Sequence, residues 1–102
     1  MAKVFALYKT PADPAAFDRY YRDVHVPIAK KLPGLRAYEV TRGSIGMLGG
    51  SSPYHLIAVL TFDSVNAIQA ALVSPEGQAT AADIGNFATG GVDILFAETG
   101  SA

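Results

Sequence analysis

The sequence predicts an α+β fold, a single domain over residues 1–102 in which a four-stranded antiparallel sheet carries both helices on one face, the ferredoxin-like arrangement. Three observations predict it. Strand-forming and helix-forming runs follow one another in the order β-α-β-β-α-β, the split βαβ pattern. A chain of 102 residues suits one domain, whose folding buries about 60–65% of the surface the unfolded chain exposes. The strands are apolar on both faces, so the side away from the helices needs a cover of its own.

"KVFALYK", Lys3 to Lys9, is rich in strand formers and is closed by the turn "TPADP", which makes it the first strand. Asp13 and Pro14 supply an N-cap and a first-turn proline, and Phe17, Tyr20 or Tyr21, Val24 and Ile28 follow at helical spacing. "KKLPG" ends this helix, because a residue before proline avoids the helical region and glycine accepts the turn. "LRAYEVTR", Leu35 to Arg42, is the second strand, Gly43 to Ser52 a Gly/Ser loop, and "PYHLIAVLTF", Pro53 to Phe62, the third and strongest strand. Asp63 and Ser64 cap a second helix with a stripe of Val65, Ile68 and Leu72. A short irregular helical segment opens at Ser74 and Pro75, and "VDILFAE" after Gly90 and Gly91 is the last strand.

In the first strand Val4, Ala6 and Tyr8 oppose Phe5 and Leu7. In the third, Leu56, Ala58, Leu60 and Phe62 oppose Ile57 and Val59. A half-solvated sheet alternates apolar with polar, and these strands do not. With no third layer encoded, the expected cover is a second copy of the chain: a homodimer whose sheets face each other and enclose a shared barrel-like interior.

Half the residues are hydrophobic and 17% are charged, with a formal net charge of −1. That is too apolar for disorder and sparse in charge for a monomer. No basic cluster beyond Lys30 and Lys31 offers a footprint for nucleic acid or an anionic membrane, and neither is an expected partner. The N-terminal run is too short for a signal h-region, and no stretch reaches a membrane span, so a soluble cytoplasmic protein is expected. There is no cysteine, which removes disulfide and thiolate chemistry.

The runs "FDRYYRDVHVPIAKKLPGLRAYEV", "SPYHLIAVLTFDS" and "ALVSPEGQATAADIGNFATGGVDILFAE" resemble the EthD family, named for ethyl tert-butyl ether degradation, within the dimeric α+β barrel proteins. The resemblance covers nearly the whole chain and rests on a His-x-Pro after the first helix, a Pro-Gly turn and an Asp-x-x-Asn-Phe near the end. It implies a ferredoxin-like dimer with a small-molecule pocket between sheet and helices, the His-x-Pro beside it. It implies no particular reaction.

His25 is the leading catalytic candidate, as an acid/base. The negative end of the helix dipole favours its charged form and burial opposes it, which would set its pKa near neutrality. The competing role is a C-cap on the last helical carbonyls. Pro27 either terminates the helix or bends it so that the ring turns inward, and the expectation is that His25 faces a cavity instead of solvent. Tyr21, Tyr38, His55 and Met47 are the expected ligand contacts. Tyr21 or its neighbour Tyr20 lies on the core stripe, and Tyr38 is expected to face His25 across a small cavity. His55 falls in the third strand on the face of Ile57 and Val59. Met47, with Ile45 and Leu48, belongs to a Gly-rich loop read as a pocket lid or dimer arm, since it lacks phosphate-loop spacing. Asp83 could reach back to a strand end or a histidine, though most Asp residues in such a segment cap or stay solvated. Two histidines and no cysteine make a protein-only zinc site improbable, and neither a metal nor a cofactor, haem included, is expected.

Two functions fit these residues. One is a metal-free enzyme acting on a small hydrophobic or carbonyl compound, in the manner of the cyclases, isomerases and monooxygenases among related barrels. The other is a non-catalytic binding or accessory protein of a catabolic pathway.

Overall fold

A computed structural model describes all 102 residues. The strands are β1 (Ala2–Lys9), β2 (Ala37–Val40), β3 (Gly46–Met47), β4 (Gly50–Ser51), β5 (Tyr54–Phe62) and β6 (Val92–Glu98). The helices are α1 (Pro14–Tyr20), α2 (Val26–Ala29), α3 (Val65–Val73) and α4 (Pro75–Ile84), and a π-helical turn, Tyr21–His25, joins α1 to α2. The main sheet has the order β2-β5-β1-β6 and every pairing in it is antiparallel. The fold is therefore ferredoxin-like, as the order of elements predicts.

Three elements differ from their sequence-based outlines. The second strand pairs only over Ala37–Val40, with single flanking bonds from Arg36 N–H to Thr61 and from Thr41 N–H to Ile57. Within the Gly/Ser loop a small hairpin forms from β3 and β4. The segment expected to be irregular is a regular helix, α4. The Ser74 hydroxyl accepts from the Gly77 N–H and Pro75 occupies the first turn, so cap and proline together open a helix there. Gly77 is required at that corner, since a Cβ on it would collide with the backbone carbonyl oxygens of Ala71 and Leu72. Because α4 folds back over Ala71, the buried residues of α3 are Ile68 and Ala71, while Leu72 is exposed.

The core lies between the sheet and the helices. Ala2, Val4, Ala6 and Tyr8 of β1 and Ala58, Leu60 and Phe62 of β5 pack there against Phe17, Tyr21, Ala29, Ile68 and Phe87. The opposite face is apolar but open: Phe5, Leu7, Ile57 and Val59 are only half-buried, and Leu95 beside them is 58% exposed. Cross-strand pairing joins Phe5 to both Val59 and Leu95 and joins Leu7 to Ile57, so these side chains form one continuous patch.

The first helix does not bury the stripe predicted for it. Its buried residues are Phe17, Tyr21, His25 and Ala29, while Val24 is exposed and Ile28 only half-buried. Four-residue steps in an α-helix advance the face by roughly 40° each, so four such residues would drift by about 120°. The π turn cancels that drift. The Val26 N–H donates to the Tyr21 carbonyl, five residues back, and the wider turn holds Tyr21 and His25 in line. Pro27 explains its position: proline has no N–H for the Asp23 carbonyl and its ring would crowd that oxygen, which a widened preceding turn relieves.

Candidate functional site

His25 sits within the continuous helical run, with α2 continuing to Ala29, and is not at a helix end; the expected C-cap role does not apply. Its ring is 3% exposed and is packed between Phe87, at a centroid distance of 4.7 Å, and Tyr21, at 5.3 Å. Nδ1 lies 2.9 Å from the Asp83 carboxylate on α4. Asp83 also accepts from the Tyr20 hydroxyl at 2.6 Å and from the Asn86 side-chain amide at 3.1 Å. Burial pushes the Asp83 carboxyl up, but the hydrogen bonds from Tyr20, His25 and Asn86 outweigh it and hold its pKa below the usual value. For His25, burial outweighs the hydrogen bond and charge of Asp83, so its pKa is lowered from 6.5. The ring is then neutral at pH 7, its Nδ1–H donating to the Asp83 carboxylate and its Nε2 carrying the lone pair. Nε2 has no partner in the chain, and no buried polar side-chain atom is left unsatisfied, so the small exposed part of the ring includes Nε2.

The principal cavity lies elsewhere. It occupies about 1180 Å³ between the first helix, the end of β2 and the 43–52 hairpin. Tyr21, Arg22 and Val26 form the helical wall, Val40 and Leu56 the strand wall, and Ile45 and Met47 the hairpin wall. Asp18 and His55 also line it, with His55 Nε2 2.7 Å from Asp18 Oδ1. Of the expected ligand contacts, Tyr21, His55 and Met47 therefore stand on the cavity wall. Tyr38 does not. It pairs across the sheet with Leu60 and its hydroxyl shares a 2.6 Å hydrogen bond with that of Tyr21, so it faces Tyr21 and not His25. Burial, with the neighbouring Tyr38 hydroxyl, holds the Tyr21 pKa well above its ordinary value, and Tyr21 presents a protonated phenol.

Two placements correct the sequence-based expectation. The His25 ring is not on the wall of this cavity, because the π turn aims it at α4. His55 does not share a face with Ile57 and Val59. Tyr8 pairs with Leu56 and Lys9 with Tyr54, which leaves His55 as the extra residue of a β-bulge. Such a residue leaves the regular alternation, and the His55 ring meets the edge of Phe17 on the helix side, 5.1 Å between centroids.

Asp18 is not recognisable from the sequence. A charged residue between Asp13 and Arg22 on a helix carries no signal of its own, and only the bulge, invisible in the strand pattern, brings His55 to it. Asp83, of the roles its position allows, takes the one that reaches a histidine, and it does so across 58 residues of sequence.

An antiparallel four-stranded sheet with its helices on one face defines a ferredoxin-like α+β protein, and a ligand-sized cavity opens at one end of it. The chain belongs to the EthD family: the EthD domain matches residues 9–91. It is 41% identical over 99 residues to an uncharacterized 11.0 kDa protein of the thcB-thcC intergenic region of Rhodococcus erythropolis, covering 96% of this chain and 94% of that one. The crystal structure of an ethyl tert-butyl ether degradation (EthD) family protein from Bacillus halodurans superposes with a TM-score of 0.88 at 35% identity, covering 97% of this chain and 98% of that one. SnoaB, a cofactor-independent oxygenase from Streptomyces nogalater, shares the fold alone, with a TM-score of 0.69 at 13% identity over 99% and 94% of the two chains. No helix is long and apolar enough to cross a membrane.

Proposed function

We propose that this protein binds a small, largely apolar carbonyl or aromatic compound in the cavity beneath the 43–52 hairpin and acts on it by proton transfer without a metal. It works as a homodimer in the cytoplasm, the open apolar face of each sheet covered by that of the other.

The cavity carries the reading. Tyr21, Val26, Val40, Met47 and Leu56 supply apolar lining, and charged and polar side chains that include Asp18, Arg22, Arg42 and His55 stand among them. That mixture binds a small organic molecule by burial and orients it by a few polar contacts. The Tyr21 phenol, fixed by Tyr38, is a donor suited to a substrate carbonyl oxygen. His25 and Asp83 enter as positioning residues that hold Tyr21 in place through the ring contact. A cofactor-independent oxygenase on the same fold is in keeping with chemistry done by side chains alone, at the level of fold analogy.

The second reading, a non-catalytic carrier of the same compound, draws on the placement of His25 off the cavity wall. Native mass spectrometry of freshly purified protein tests both halves at once. A dimer mass carrying a small organic ligand is expected, and a bare monomer overturns the reading.

A further inference from the structure

We infer that His55, held by Asp18, is the general base of the cavity and takes a proton from a carbon acid, a compound whose C–H is acidified by a neighbouring carbonyl. This rests on the cavity being the ligand site.

Two histidine–aspartate pairs exist in this chain, and they differ in what their free nitrogen reaches. The pair of His25 and Asp83 lies under α4 and off the cavity wall, with side chains 3% and 7% exposed. The pair of His55 and Asp18 has both members on the cavity wall, with side chains 22% and 55% exposed. In the neutral ring His55 Nε2–H donates to Asp18, and Nδ1 keeps its lone pair with no partner in the chain. Since no buried polar side-chain atom is left unsatisfied, that nitrogen is open. Base and orienting carboxylate at hydrogen-bond distance, with the second nitrogen available, is the arrangement by which an imidazole accepts a proton while the carboxylate stabilises the cation formed. The fold reserves a special device for it: His55 leaves the strand alternation through a β-bulge, and the Phe17 edge fixes its ring. Bulges re-aim side chains in this way beside active sites. The enolate formed would find Tyr21, Arg22 and Arg42 lining the same cavity.

The test uses 5-nitrobenzisoxazole, a neutral aromatic whose ring opens when a positioned base removes its carbon-bound proton. The C–H electron pair becomes the third carbon–nitrogen bond, the N–O bond breaks, and its pair leaves on the phenolate oxygen. The proton ends on Nδ1 and no oxidant is consumed. Binding is followed separately with the unreactive analogue 6-nitrobenzotriazole, through the Met47 methyl resonance. The wild-type protein should bind the analogue and accelerate the opening. His55→Gln should lose about tenfold or more of that rate, Asp18→Asn a smaller part, and Glu76→Gln, on α4 away from the cavity, none. Unchanged circular dichroism of each variant excludes misfolding as the cause. Binding without acceleration, a full rate in His55→Gln, or a loss that falls on His25→Gln instead overturns the assignment while leaving the cavity reading intact. Failure of the wild type to bind the analogue overturns both.

Discussion

His25 and Asp83 meet at 2.9 Å between Nδ1 and Oδ2, a buried bond that ties the π turn of the first helix to α4. Removing the carboxylate leaves the His25 donor without a partner in a sealed space. Asp83→Ala should therefore cost about 1.5–3 kcal/mol of stability, the range for a hydrogen bond to a charged group. Urea denaturation at neutral pH measures it, and a change below about 0.5 kcal/mol, typical of surface positions, would show that the network carries no stability.

The same pair sets a pH dependence. Burial lowers the His25 pKa below 6.5, so the unfolded chain takes up this proton first as the pH falls. Its contribution to stability is complete above 6.5 and is lost as the pH drops through that value toward the folded one. The lowered Asp83 pKa adds a second loss of the same sign, beginning below 3.8. Urea midpoints across this range should fall in two stages, and His25→Gln should remove the first. A wild-type midpoint that rises on acidification would contradict the neutral buried ring.

Gly77 and Gly85 make a paired test of backbone packing. Gly77→Ala puts a methyl into the Ala71 and Leu72 carbonyls and should destabilise by about 1–3 kcal/mol, as overpacking does. Gly85 has an ordinary helical conformation, φ −62°, and a methyl placed on it would have its nearest neighbour, the Ala82 carbonyl oxygen, at 3.8 Å. Gly85→Ala should be neutral or stabilising by up to about 1 kcal/mol. Thermal melts of the two variants side by side decide the point.

Val59 sits on the open sheet face between its partners Phe5 and Glu39. In the proposed dimer Val59→Asp would bury a charge between two facing sheets at a cost of several kcal/mol, so light scattering on a sizing column should find monomer for the variant and dimer for the wild type. An unmutated protein that is monomeric at micromolar concentration rules out the face-to-face dimer.

Residues 43–52 hold together through only two residue pairs, Gly46 with Ser51 and Met47 with Gly50, and Leu48 at the tip is fully exposed. Hydrogen exchange there should be fast in the free protein and slower with 6-nitrobenzotriazole bound. Protection matching that of β5 without ligand would mark the hairpin as fixed structure.

The fold was legible in the sequence because strand periodicity and caps are local: Asp13, Ser64 and Ser74 each bond the backbone three residues on, as their spacing predicts. The site was legible in its residues and less so in its geometry. Tyr21, His55 and Met47 reach the cavity, while the directions of His25, Tyr38 and His55 each depend on something that pattern does not encode. For His25 it is one extra residue in a helical turn, which changes the face that is buried without changing the residues present. For His55 it is one unpaired residue in a strand. Tyr38 depends on Tyr21, whose hydroxyl it can meet only once the helix is docked on the sheet.

The π turn also bears on how chains of this architecture can vary in length. Between Phe17 and Ala29 the helix contains one residue more than α-helical winding needs, and that surplus keeps four side chains in register with the sheet. Losing that surplus residue would return the turn to plain α-helical winding, in which steps of roughly 100° close on about three turns from Phe17 to Ala29, so Ala29 and Leu32 would still face the core. A relative one residue shorter between Tyr21 and His25 should therefore keep this fold with a plain α-helix, while longer insertions should gather in the 43–52 hairpin, where Gly43, Gly46, Gly49 and Gly50 have open space around them and an added residue displaces nothing.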